Sequence, residues 1–126
     1  MDEADQEIEY MLGILGDYRL DMPIILDWEI PASDARTANM DARTLTDIQL
    51  YFCEKMKALG YQPMVYFNWH QSENLYYLSE LEDFPFWLAL YQDRMRYPWK
   101  VEMWQYTCTG RVPGINGDVD INVYMP

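Results

Sequence analysis

Two carboxylates separated by one residue, Asp27 and Glu29, close the apolar run Ile24, Ile25, Leu26. On an extended backbone, side chains two positions apart project to the same face, about 7 Å from each other at about 3.3 Å of rise per residue. A pair so placed suits general acid–base work. Glycoside cleavage is the reaction that demands it most directly: one carboxyl group stays protonated to donate to the leaving oxygen, while a second, negative group stabilises the developing oxocarbenium charge. Like charge at this range raises the proton affinity of one member of the pair. In a chain with 21 acidic residues an Asp-x-Glu also arises by chance, and a solvated strand end is the plain alternative. The preceding apolar run favours a role, because carboxylates at the end of a buried strand carry a desolvation cost.

Other candidates are fewer. Asp118 and Asp120 repeat the two-residue spacing near the last apolar stretch, although residues flanking a turn are equally structural. His70 is the one histidine, which excludes a histidine-based metal cluster, and no nucleophile motif accompanies it. Cys53 and Cys108 lack metal-ligand spacing and read as free buried thiols. No metal or cofactor is expected. The formal charge of −12 would repel a phosphate backbone, so nucleic acid is an unsuitable partner. The acidic N-terminus does not resemble a secretory signal, and no stretch approaches the ~20 apolar residues that span a bilayer. The 5 Trp and 11 Tyr concentrate between Tyr61 and Tyr106, where they serve either as core or as a stacking floor for sugar rings.

The elements that must position these groups alternate. Ile8, Met11, Leu12 and Leu15 fall at helical spacing, stopped by Gly16. Residues 24–30 read as a buried strand bearing the acidic pair at its end, and residues 31–43 as a long loop. Thr44 followed by Asp47 resembles a helix start, and Leu45, Ile48, Phe52, Met56 and Leu59 then repeat until Gly60. Residues 64–68 form a second strand. Ser72 is expected to cap a short helix holding Leu75, Leu78 and Leu81. Strands over 86–91, 101–107 and 119–124 complete the chain. The expected class is α/β with parallel strands, and 126 residues suit a single domain.

Taken together, MPIILDWE (22–29), GYQPMVYFN (60–68), FWLALY (86–91), VEMWQYT (101–107) and GDVDINVY (117–124) resemble, in order and spacing, the later strands of glycoside hydrolase family 25 lysozymes. That resemblance implies an α/β barrel of eight strands whose last three lack intervening helices. It implies cleavage of the β-1,4 bond between N-acetylmuramic acid and N-acetylglucosamine in peptidoglycan. Glu29 matches the general acid/base, Asp27 the carboxylate beside it, which acts on the substrate's acetamido group or the cationic centre, and Asp120 the acidic residue of the last strand. Trp104, Gln105 and Tyr106 match the segment bordering the sugar cleft, and Tyr66 and Asn68 a strand end pointing the same way. Family members act at the cell wall, extracellularly or as phage lysins.

The resemblance does not extend to the family's first strands, one of which ends in a further active-site Asp. The expectation is an incomplete TIM-like (β/α) barrel of about five parallel strands, with strands 24–30 and 119–124 lacking their neighbours. Such open edges predict a homodimer pairing edge to edge. They also admit an alternative function, a catalytically weak module that binds peptidoglycan or self-assembles.

Overall fold

Helix α1, Asp2–Leu15, begins with Asp2, Glu3 and Asp5 in its first turn, where carboxylates complement the helix dipole. It ends at Gly16, whose φ of +53° a side chain would oppose and whose N–H donates to the Leu12 carbonyl. The computed structural model describes residues 2–126. After α1 come β1 (Ile24–Ile25), α2 (Ala42–Ala58), β2 (Pro63–Asn68), α3 (Trp69–Asn74), a 3-10 turn (Leu78–Glu80), β3 (Phe86–Ala89), β4 (Met103–Gly110) and β5 (Val119–Tyr124).

The strands form one curled half-barrel sheet in the order β1-β2-β3-β4-β5. The first four are mutually parallel. β5 runs antiparallel to β4, which corrects the expectation of an all-parallel sheet. Only residues 111–118 separate β4 from β5, and a parallel return needs a crossover of a dozen residues or more. Two bulges, between Gln105 and Thr107 and between Thr107 and Gly110, interrupt this last ladder.

One face of the sheet makes the core. Val65, Phe67, Phe86 and Leu88 meet Leu45, Phe52 and Met56 of α2 and Ile8 of α1. The ladder register gives the other face to Met64 and Tyr66 of β2, Trp87 and Ala89 of β3, Met103 and Gln105 of β4, and Asn122 and Tyr124 of β5. β2 lies between β1 and β3 and is buried on both faces.

Several expected boundaries move. The strand over 24–30 shrinks to Ile24–Ile25, and residues 26–30 have no regular secondary structure. α2 is capped by Asp41, which accepts from Thr44 N–H at 2.8 Å, so Thr44 lies inside the helix. No helix starts at Ser72, which sits within α3 and returns its hydroxyl to the Trp69 carbonyl at 2.7 Å. The actual cap is Asn68: Gln71 N–H donates to its Oδ1, and Asn68 N–H donates to Gln71 Oε1. Of the two free thiols Cys53 is buried, but Cys108 is exposed, unlike its expected burial.

Candidate active site

Beyond β1 the chain continues without a ladder. Leu26 and Trp28 pack against the core, whereas Asp27 and Glu29 are exposed. Two buried amides hold this stretch. Gln49 Nε2 of α2 donates to the Leu26 carbonyl at 3.1 Å, and Gln71 Nε2 of α3 donates to the Trp28 carbonyl at 2.8 Å. Sequence reasoning missed both glutamines. Gln49 was detectable as a polar residue inside the apolar stripe of α2, and Gln71 as the partner in an Asn-x-x-Gln capping signature.

The Tyr66 hydroxyl donates to Glu29 Oε1 at 3.1 Å, and the Tyr66 ring packs at 4.8 Å against Trp87. Trp87 in turn donates from Nε1 to Asn122 Oδ1 at 2.9 Å. Asp27 holds its proton above the ordinary carboxylate range, first because neighbouring atoms displace water and second because Glu29 is negative. Tyr66 is pushed up by burial, by the charge of Glu29 and by its hydrogen bond to that carboxylate. Tyr91 is raised to about 12 by burial, by the Cys108 thiol beside it and by the charges of Asp120 and Glu29. Its hydroxyl donates to Gln105 Oε1 at 2.6 Å. Neither Tyr91 nor Trp87 was singled out by the sequence, although both belong to the FWLALY run.

Glu29, Tyr66, Gln105 and Asp120 gather around Tyr91, and Asp27 acts on Tyr66 while also lining a cavity beside Gln49 and Tyr76. The fold does not bring all the expected residues there. Trp104 shares its face with Leu88 and Val123, donates from Nε1 to the Leu90 carbonyl at 2.8 Å, and lies 5.7 Å from the Tyr106 ring. Those two rings, with Val123 and Tyr91, line a separate open groove of about 650 Å³. Asn68 is committed to its cap. Asp118 pairs with Arg111 at 2.8 Å across the β4–β5 loop, a structural role. His70 is exposed and its ring faces Asn74. Among the described residues no three metal-ligating side chains cluster, and no helix is long and apolar enough to cross a membrane.

A carboxyl pair in which Asp27 holds its proton above the ordinary range, flanked by two tyrosine hydroxyls and open to water, is equipped to donate a proton to a polar substrate and to stabilise positive charge. The profile of Glycosyl hydrolases family 25 matches residues 1–115. Among solved structures, the chain is similar to the CTP1L endolysin, with 26% identity, a TM-score of 0.75, and coverage of 97% of this chain and 41% of that one. It is similar to the modular autolysin LytC of Streptococcus pneumoniae, with 27% identity, a TM-score of 0.72, and coverage of 96% and 29%. The spore cortex lytic enzyme SleM of Clostridium perfringens shares the fold at 24% identity and a TM-score of 0.68, with coverage of 98% and 43%. The chain thus spans less than half the length of these proteins. No curated protein matches it.

Proposed function

The chain belongs to glycosyl hydrolases family 25, and from that premise we propose that it is a lysozyme-type hydrolase of peptidoglycan, cutting the β-1,4 bond between N-acetylmuramic acid and N-acetylglucosamine. The observation that carries the reading is the Glu29 carboxylate, held by Tyr66 beside an Asp27 whose proton affinity is raised by burial and by Glu29 itself. Glu29 is the general acid/base, protonating the leaving oxygen and then deprotonating water. Asp27 acts on the acetamido group or the cationic centre, and Asp120 adds negative charge from the far side. Tyr66 and Gln105 line the sugar site in this reading, and the groove at Trp104 and Tyr106 extends it.

In the same proposal, residues 1–126 form one domain, part of a TIM-like (β/α) barrel. The test is release of soluble muropeptides from purified wall. Glu29→Gln abolishes it, and full activity in that variant rejects the assignment.

A second reading is favoured by one observation: among the described residues, β1 and β5 each have an unpaired side. Pairing of these edges makes a homodimer, and the module then binds or assembles on wall without turnover. Pelleting with insoluble wall without lysis, at a solution mass of twice 15.1 kDa, supports this reading. A monomer that fails to pellet removes it.

A further inference from the structure

Asp27 and Glu29 stand on backbone that no strand holds. The β1–β2 ladder stops at the Ile25 and Met64 pair, and residues 26–30 continue without regular structure. Carbonyls that leave a ladder need other donors. Here the donors are the side-chain amides of Gln49 and Gln71, which reach the carbonyls of Leu26 and Trp28. Those two acceptors bracket Asp27, and the second directly precedes Glu29.

Both glutamines are buried, at 1% and 0% exposure. Burying an amide in a helix–sheet interface costs free energy unless it is hydrogen-bonded, and a leucine or methionine would pack there without that cost. Gln71 also has no freedom to turn. Its Oε1 accepts from Asn68 N–H at 2.7 Å, so its NH2 group has only the Trp28 carbonyl to serve. Asn68 is itself bound to Gln71 N–H, which ties the clamp to the end of β2.

We propose that Gln49 and Gln71 are positioning residues, substitutes for a missing ladder, which clamp the carbonyls on either side of Asp27 and aim Asp27 and Glu29 into the site. The inference rests on the reading that this pair is catalytic. Both amides are buried and donate to backbone carbonyls, so their loss misaims the acids and leaves the exposed side chains of the site in place. A misplacement of about 1 Å in reacting groups costs on the order of 100-fold in rate.

The test uses Gln49→Met and Gln71→Met in the full chain, which retain volume and remove the donor. Turnover of a soluble peptidoglycan oligosaccharide is measured beside the carboxyl titration of Asp27 by NMR. The expected result is a kcat lower by about 10- to 100-fold with KM within about twofold, and an Asp27 titration that moves down toward an ordinary aspartate as the segment loosens. Met56→Ala, a core change in α2 outside the clamp, provides a control of lowered stability and keeps its kcat. Unchanged kcat and unchanged Asp27 titration in both glutamine variants overturn the proposal. If the unsubstituted chain releases nothing, the catalytic reading fails, and the titration alone decides the clamp: a downward move supports it and a fixed value refutes it. Should either methionine variant fail to fold, Gln71→Glu keeps the size and turns the donor into an acceptor, and a kcat and Asp27 titration equal to the unsubstituted chain's there again overturn the proposal.

Discussion

Gly110→Ala tests whether the last ladder is packed as tightly as its bulges imply. A Cβ at this position would lie 2.3 Å from Ile121 Cδ1, 2.5 Å from Ile121 Cγ1 and 2.9 Å from the Val119 carbonyl oxygen. Carbon atoms rest at about 3.5–4.0 Å, so the isoleucine must retreat by about 1 Å. Rotation about χ2 clears Cδ1, but Cγ1 moves only with χ1, which is stiff in a β-branched residue. The Val119 oxygen is backbone and moves only with β5. Overpacking of this kind costs about 1–3 kcal/mol. Because Ile121 is only half-buried, the lower part of that range applies, about 1–2 kcal/mol. At about 4 °C per kcal/mol for a chain of this size, Tm falls by about 4–8 °C. Urea unfolding of the two single variants and the double variant with Ile121→Ala checks the cause. The alanine at 121 removes both close carbons, so the double variant recovers about 1 kcal/mol relative to additivity. Strict additivity, or no loss of stability in Gly110→Ala, refutes the argument. Asp120 lies between the two displaced residues, so the same variant also loses activity.

Asp27→Asn raises Tm at pH 7, because the native carboxyl is held above its ordinary range by burial and by Glu29. The native chain therefore binds more protons than the unfolded chain between the unfolded pKa of about 3.9 and the raised native value, and stability falls as pH rises through that window. The gain disappears below the window, where both states are protonated; an equal gain at pH 3 would place its origin elsewhere. Tyr66→Phe removes the hydrogen bond to Glu29 and lowers kcat about 10-fold while changing stability by less than about 1.5 kcal/mol, read from muropeptide release and urea unfolding. Asp5 accepts from Lys55 and Tyr51, which hold its carboxyl below the ordinary range and tether α1 to α2. That stability is present above the unfolded pKa and lost as pH falls through the native one. Asp5→Asn accordingly speeds hydrogen exchange in α1 at pH 7, and the difference from the unsubstituted chain closes in acid.

Most of the sheet is legible in the sequence because its strands carry their own signals. Pro63 and Pro85 precede apolar runs that become β2 and β3, and the alternation of residues 119–124 becomes β5 with the bounds expected. The helical stripe from Leu45 to Met56 is likewise recovered. What is not legible depends on partners distant in the chain. Residues 24–30 read as one strand, since apolar composition reports burial and not pairing. The caps at Asp41 and Asn68 were passed over for Thr44 and Ser72, because a hydroxyl residue near an apolar repeat satisfies the same pattern. The faces of Trp104 and Gln105 were separated correctly by period two: Gln105 accepts from the Tyr91 hydroxyl, while Trp104 meets Tyr91 in the open groove on its own face. The candidate acids were found because alternation survives where the ladder does not: Leu26 and Trp28 still pack on the core, and Asp27 and Glu29 are still exposed.

The curl of the sheet is what makes one site from these pieces. Glu29 follows β1 and Asp120 lies in β5, the two outermost strands. In a flat sheet, four spacings of about 4.8 Å would set those strands about 19 Å apart, more than twice the screening length of about 8 Å in physiological salt. Yet both carboxylates act on the single Tyr91 hydroxyl, which follows the middle strand. Tyr91 lies about two spacings of about 4.8 Å from either edge strand, the curl brings both edges toward it, and the bulges of β4 increase the local twist and bend in the half that carries Asp120. The chemistry proposed for Glu29 thus draws on backbone irregularities in both outer ladders, the one of β1 that ends early at Ile25 and the bulged one between β4 and β5.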